Sequence, residues 1–184
     1  MAVWACCLMP NHVHLIMVPQ TADGLARALG ETHRQYTGFV NARARWTGRL
    51  FQGRTASVPL DEAHLMAAAR TIALNPVRAR LTAQAQDWAW SSARAHAAAR
   101  DDGLVSVAPL IEHVGRGTDL IGIEPEPSVL VRLRAAESTG RPLGDDDFVG
   151  AIERRLGRVV RPRKPGRKPR TASPNSQFEL EIGD

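Results

Sequence analysis

The spacing of hydrophobic and polar positions changes several times along the chain, and each change marks an element. Residues 2–8 (Ala-Val-Trp-Ala-Cys-Cys-Leu) and 12–18 (His-Val-His-Leu-Ile-Met-Val) are short, apolar and β-prone, and Met9-Pro10-Asn11 between them supplies turn chemistry, which predicts a β-hairpin. From Asp23 to about Arg45, Leu25, Leu29, Phe39 and Val40 recur among charges with no proline, predicting a long amphipathic helix interrupted or softened near Gly38. Residues 48–58, closed by Pro59, read as a further strand. Asp61 and Glu62 then open a helix, where negative charge complements the macrodipole, and Leu65, Ala69 and Ile72 continue it until Pro76 ends it near Asn75. A second helical stretch over 91–99 follows Trp88 and Trp90.

After Asp101 the pattern is looser. Residues 105–114 and 129–137 each predict a helix, separated by breaks at Gly115-Arg116-Gly117 and Glu124-Pro125-Glu126-Pro127. Residues 148–156 carry a clearer signal, because Asp145, Asp146 and Asp147 precede them and Phe148, Ile152 and Leu156 share one face. The run 161–170 is basic and punctuated by proline, so it cannot bury a core, and the remainder to Asp184 is polar tail. The expected organisation is one α+β domain over 1–100, a helical extension over 101–160 and a disordered basic tail over 161–184.

Charge divides the chain in a similar way. Residues 1–100 carry 11 basic and 5 acidic side chains, residues 101–153 carry 4 and 11, and residues 154–184 carry 9 and 3. Of the 24 basic residues 22 are arginine, the side chain whose planar fork best matches phosphate oxygens, so a nucleic-acid partner is favoured. No apolar run approaches the roughly 18 residues of a membrane span, and Met1 leads into a strand rather than a secretory leader. A cytoplasmic protein with no membrane partner is expected. The adjacent Cys6 and Cys7 point to opposite faces of a strand and are expected to be free thiols filling core.

Alternation along a strand puts His12 and His14 on the same face, about 7 Å apart. Two imidazoles at that spacing suit a divalent metal and leave positions for a carboxylate, an amide, water or a phosphate oxygen. On the helix that starts at Asp61, His64, Thr71 and Asn75 form a polar stripe beside the apolar face. Asn75 has two readings: an amide ligand, or a helix end capped before Pro76.

The run Leu8-Met9-Pro10-Asn11-His12-Val13-His14-Leu15-Ile16 resembles the HUH motif of the single-tyrosine insertion-sequence transposases, in particular their REP-associated branch. Three further segments match that pattern in order: Gly48-Arg49-Leu50-Phe51-Gln52-Gly53-Arg54, Leu74-Asn75-Pro76-Val77-Arg78-Ala79-Arg80-Leu81, and Asp87-Trp88-Ala89-Trp90-Ser91-Ser92. Thr139-Gly140-Arg141-Pro142-Leu143-Gly144 and the basic tail are similar to the C-terminal extension of part of that branch. The resemblance implies a ferredoxin-like fold, with helices on one face of an antiparallel sheet. It also implies binding of single-stranded or hairpin DNA, and cleavage through a tyrosine that leaves a 5′-phosphotyrosine link. His12, His14 and Asn75 match its Mg2+ or Mn2+ ligands.

Two departures qualify what the resemblance implies. Thr71 stands where the family has its tyrosine, and the chain's one tyrosine, Tyr36, sits on the earlier helix. A phenol serves both as nucleophile and as leaving group, whereas an alkoxide leaves poorly, so strand transfer is expected to be impaired. The family also carries a strand and a helix ahead of the hairpin, and the first strand lies beside the HUH strand. Without it the HUH strand is expected to have an unpaired edge, open to another chain, a homodimer partner included. For DNA contact the candidates are Arg34, Tyr36, Arg43, Arg45, Arg49, Arg54 and Arg78, with Trp46 or Phe51 for base stacking. Two other readings fit the same residues: an active metal-dependent single-strand endonuclease using another nucleophile, and a non-catalytic RNA-binding or metal-binding module.

Overall fold

The structure is a computed structural model, and it describes residues 1–53 and 55–162. Alternating apolar residues form the hairpin: β1 (Ala2–Leu8) pairs antiparallel with β2 (Val13–Val18), Cys7 opposite His14 and Cys6 opposite Leu15, with a bulge between Val3 and Ala5. Seven helices follow: α1 (Gly24–Ala44), α2 (Glu62–Arg78), α3 (Ala93–Ala97), α4 (Ala108–Val114), α5 (Gly117–Ile121), α6 (Pro127–Thr139) and α7 (Asp146–Leu156), with a short 3-10 turn at Ala85–Asp87. The chain is therefore α+β, with a two-stranded sheet among the described residues.

β1 lies between two packing layers. On one side Ala5, Cys7 and Ile16 meet Ala68, Ala69 and Ile72 of α2, together with Leu110, Leu120 and Leu133 from the C-terminal helices. On the other side Cys6 packs with Ala95, Val105 and Val107. Residues beyond 100 thus fill the same core as the hairpin. α3 and α5 approach closely, because a Cβ on Gly117 would lie 1.7 Å from the His96 carbonyl oxygen, and only glycine leaves that space.

The two edges of the hairpin differ. The outer edge of β1 is closed by backbone bonds, with Leu8 N–H donating to Trp90 O (2.8 Å), Ser92 N–H to Cys6 O (2.9 Å) and Ser106 N–H to Val3 O (2.9 Å). Among the described residues no backbone group outside β1 bonds to β2.

Several expectations are corrected. Residues 48–58 are not a strand in their described part; near them stands only an isolated parallel bridge between Leu60 and Leu143. A strand needs a ladder, and β-prone composition does not supply a partner. Pro76 does not end α2, which runs on to Arg78. Pro76 and Leu74 are buried and Val77 packs on that core, so burial outweighs the local preference against helix before proline. α1 passes Gly38 without interruption, since nothing crowds that glycine and its cost of about 1 kcal/mol is too small to break a long helix. The helix expected at 91–99 is reduced to Ala93–Ala97, as Ser92 is held to β1 instead. Gly117 opens α5 where a break was expected. Arg54 and the basic tail from residue 163 lie outside the described residues.

Candidate metal and nucleic-acid site

The tight turn before β2 places His12 at its mouth, exposed, and β2 carries His14 into the half-buried layer facing α2. Their rings are perpendicular with centroids 4.8 Å apart. Nδ1 of His12 is 2.6 Å from Asn11 Oδ1, which fixes the ring and leaves Nε2 outward. Burial, chiefly, and then the neighbouring His12 hold the His14 imidazole below its ordinary pKa; Glu137 opposes this and Arg78 adds to it. A neutral imidazole is the form that ligates a metal.

His14 lines a cavity of about 600 Å3 together with Thr71, Ile72, Leu65 and Glu137. The helical stripe expected from the sequence is therefore only partly turned toward the imidazoles. Thr71 is there, its hydroxyl donating to Ala67 O at 2.7 Å. Asn75 is half-buried, and its Oδ1 accepts from Arg78 Nη2 at 3.0 Å. The same nitrogen donates to Thr71 O at 2.5 Å, and Nη1 to Glu124 Oε2 at 3.1 Å. His64 turns away, paired with Asp61 at 2.6 Å. Among the described residues no three His, Cys, Asp or Glu side chains converge on a metal position. The imidazole pair thus offers two donors, and any metal held there would take its remaining ligands from an amide, water or a phosphate oxygen. The Asn75 oxygen is engaged by Arg78, and Asn75 is not among the residues that line the cavity with His14.

The arginine arm is a second feature. α1 buries none of its residues; Leu25 and Leu29 line the cavity beside β2, and the rest of the helix, with residues 45–53, is largely exposed. Tyr36, Phe39 and Trp46 are 53%, 60% and 65% exposed. Arg43, Arg45 and Arg49 are exposed and make no ion pair among the described residues, whereas Arg34 is held by Glu31 at 2.6 Å. Arg45 takes the left-handed conformation (φ 56°) that ends α1, and Trp46 N–H bonds Asn41 O at 2.9 Å. Asn41 also donates to Gly48 O at 3.0 Å. Phe51 is not free to stack on a base: it stacks on His33 with centroids 3.9 Å apart. Trp46 and Phe39 hold the exposed role instead, and Phe39 was overlooked because its place in the helical repeat reads as core.

Arg78 is the other residue the sequence misjudges. Its motif position suggests a phosphate contact, yet its guanidinium is spent on Asn75, Thr71 and Glu124. The signal was present in the i,i+3 spacing of Asn75 and Arg78. Compared with known proteins, the chain matches no family model, no curated protein and no solved structure. No helix among the described residues is long and apolar enough to cross a membrane.

Proposed function

We propose that this chain is a transposase-like protein that binds single-stranded or hairpin DNA and is impaired in strand cleavage. The observation that carries the reading is the imidazole pair, 4.8 Å between centroids, with His14 in the same cavity as Thr71. In this reading the fold is a ferredoxin-like one, and His12 and His14 hold Mg2+ or Mn2+ with Asn75 completing the set once Arg78 has moved. The metal's contribution is to polarise a phosphate oxygen. Arg43, Arg45 and Arg49 neutralise backbone phosphates, with Arg34 and Arg54 assigned the same role, and Trp46 and Tyr36 offer faces to unpaired bases. Thr71, bonded to its own helix and lacking a phenol's leaving-group ability, leaves the cut-and-rejoin cycle without its carrier.

A hairpin oligonucleotide incubated with the protein and Mn2+ tests this. The expected result is retention of the DNA without a covalent adduct, and an adduct when Thr71→Tyr supplies the phenol. An adduct with the unaltered chain overturns the impaired-cleavage reading in favour of an active endonuclease. RNA outcompeting single-stranded DNA points to an RNA-binding module.

A further inference from the structure

We infer that Trp90 is a stacking platform for an unpaired nucleobase, fixed to the core at the mouth of the hairpin; the inference rests on the single-stranded DNA reading above. Residues 88–92 lie along the outer edge of β1. Leu8 N–H donates to Trp90 O at 2.8 Å and Ser92 N–H to Cys6 O at 2.9 Å, with Ser91 opposite Cys7. The polar side-chain groups of this segment serve the same attachment. Trp88 Nε1 donates to Leu8 O at 2.9 Å, Ser92 Oγ accepts from Cys6 N–H at 3.0 Å, and Ser91 Oγ accepts from Ala93 N–H at 3.0 Å. Trp90 is the exception. Its backbone is pinned, yet its indole N–H makes no hydrogen bond among the described residues and the residue is 62% exposed.

Alternation places the ring. Ser91 stands opposite Cys7, which packs in the α2 layer, so Trp90 falls on the other face beside Leu8, and Leu8 pairs across the hairpin with Val13. Trp90, Leu8 and Val13, all exposed, thus form one row at the end of the sheet, past the place where Val105 and Val107 cover Cys6. Neither Trp90 nor Leu8 lines the cavity that holds His14 and Thr71. The row leaves bare an area on the order of 300 Å2, against about 800 Å2 per partner in a stable protein interface, so it suits a flat ring better than a second protein surface. Residues 1–22 and 88–100, which build this end, contain no aspartate or glutamate and include Arg94 and Arg100, so they set no like charge against a phosphate backbone. Val13 follows His12 in the chain, so the row adjoins the imidazole pair. A ring already held by its backbone loses little freedom when a base stacks on it, and any base offers a π-face, so the platform is indifferent to sequence.

An anisotropy titration of the intact chain with labelled single-stranded oligothymidylate tests the assignment. Trp90→Ala is expected to weaken binding about tenfold or more, and Trp90→Phe much less, with the urea midpoint of both variants unchanged. Should Trp90→Ala fail to fold, the intact chain still answers: an oligonucleotide carrying iododeoxyuridine is expected to photo-cross-link to Trp90, read by mass spectrometry. Absence of that cross-link, or unchanged affinity on Trp90→Ala, overturns the platform, and a loss of affinity on Trp46→Ala in the same assay leaves the DNA reading standing. An intact chain that does not bind the oligonucleotide at all overturns the DNA reading and the platform with it. A dimer seen in sedimentation that Trp90→Ala dissociates, with DNA affinity unchanged, also overturns the platform, since a second copy is then the occupant.

Discussion

Helices α1 and α2 start from similar material and end in opposite circumstances. Both are long and amphipathic, with 21 and 17 residues, yet α2 buries seven of its residues and α1 none. The difference lies in their neighbours. α2 has the hairpin on one side and α4, α5 and α6 on others, so its alanines let strands and helices come close. α1 follows β2: Leu25 and Leu29 near its start line the cavity beside that strand, and farther along Phe51 stacks on His33. A hydrophobic stripe defines which face wants cover; it does not provide the cover. What remains uncovered on α1 is an aromatic and arginine surface, and that is the surface assigned here to DNA.

The sharpest way to break the contrast is to cut into both helices alike. Ile72→Ala in α2 should lower unfolding stability by about 2–5 kcal/mol in a urea titration, whereas Phe39→Ala in α1 should stay within about 0.5 kcal/mol. Equal losses would mean that α1 has a hidden partner. Next in size, Trp46→Ala should weaken single-stranded DNA binding by about 1–3 kcal/mol in a fluorescence titration, with the urea midpoint unchanged. Asp61→Ala should cost about 1–2 kcal/mol, because Asp61 accepts from His64 N–H at 2.8 Å to cap α2 and also holds Asp145. Asp23, ahead of α1, makes no capping bond, so Asp23→Ala should leave the urea midpoint where it is.

The smallest effect is on acid response. Burial keeps His14 and His96 below the ordinary histidine pKa of 6.5, so as pH falls through that value the unfolded chain takes up protons before the folded one. Stability therefore drops with acidification from about 6.5 down to the folded values, and is flat in these groups above it. His14→Gln should make the slope shallower while His96 keeps part of it. For metal binding the same neutral imidazole matters: calorimetry with Mn2+ should show heat for the intact protein and none for His14→Ala.

Much of this was written in the sequence where the determinants are local. Alternation in residues 2–8 and 12–18 located the hairpin within a residue, Asp61 announced the start of α2, and Asp145 and its neighbours announced α7. His12 and His14 were expected together from a strand's alternation, and they do meet, with centroids 4.8 Å apart, although His12 lies in the turn just before β2. What failed needed distant information. Residues 48–58 have strand composition, but whether they form a ladder depends on an edge elsewhere. The end of α2 was misjudged because Pro76 is sheltered by packing that no local rule sees. Leu110, Leu120 and Leu133 lie in the stretch expected to be a separate helical extension, yet they complete the core around Cys7 and Ile16. The engagement of Asn75 by Arg78 could be read only from the coordinates.

The neighbouring cysteines of β1 have a practical consequence. Cys7 faces the α2 layer with its thiol pushed up to about 11, chiefly by burial, and Cys6 faces the Val105 layer with its thiol raised for the same main reason. Each sulfur is thus silent toward alkylating reagents while its own layer stays shut. Mass spectrometry of singly labelled molecules would then tell which half of the protein breathes first, with two native reporters one peptide bond apart.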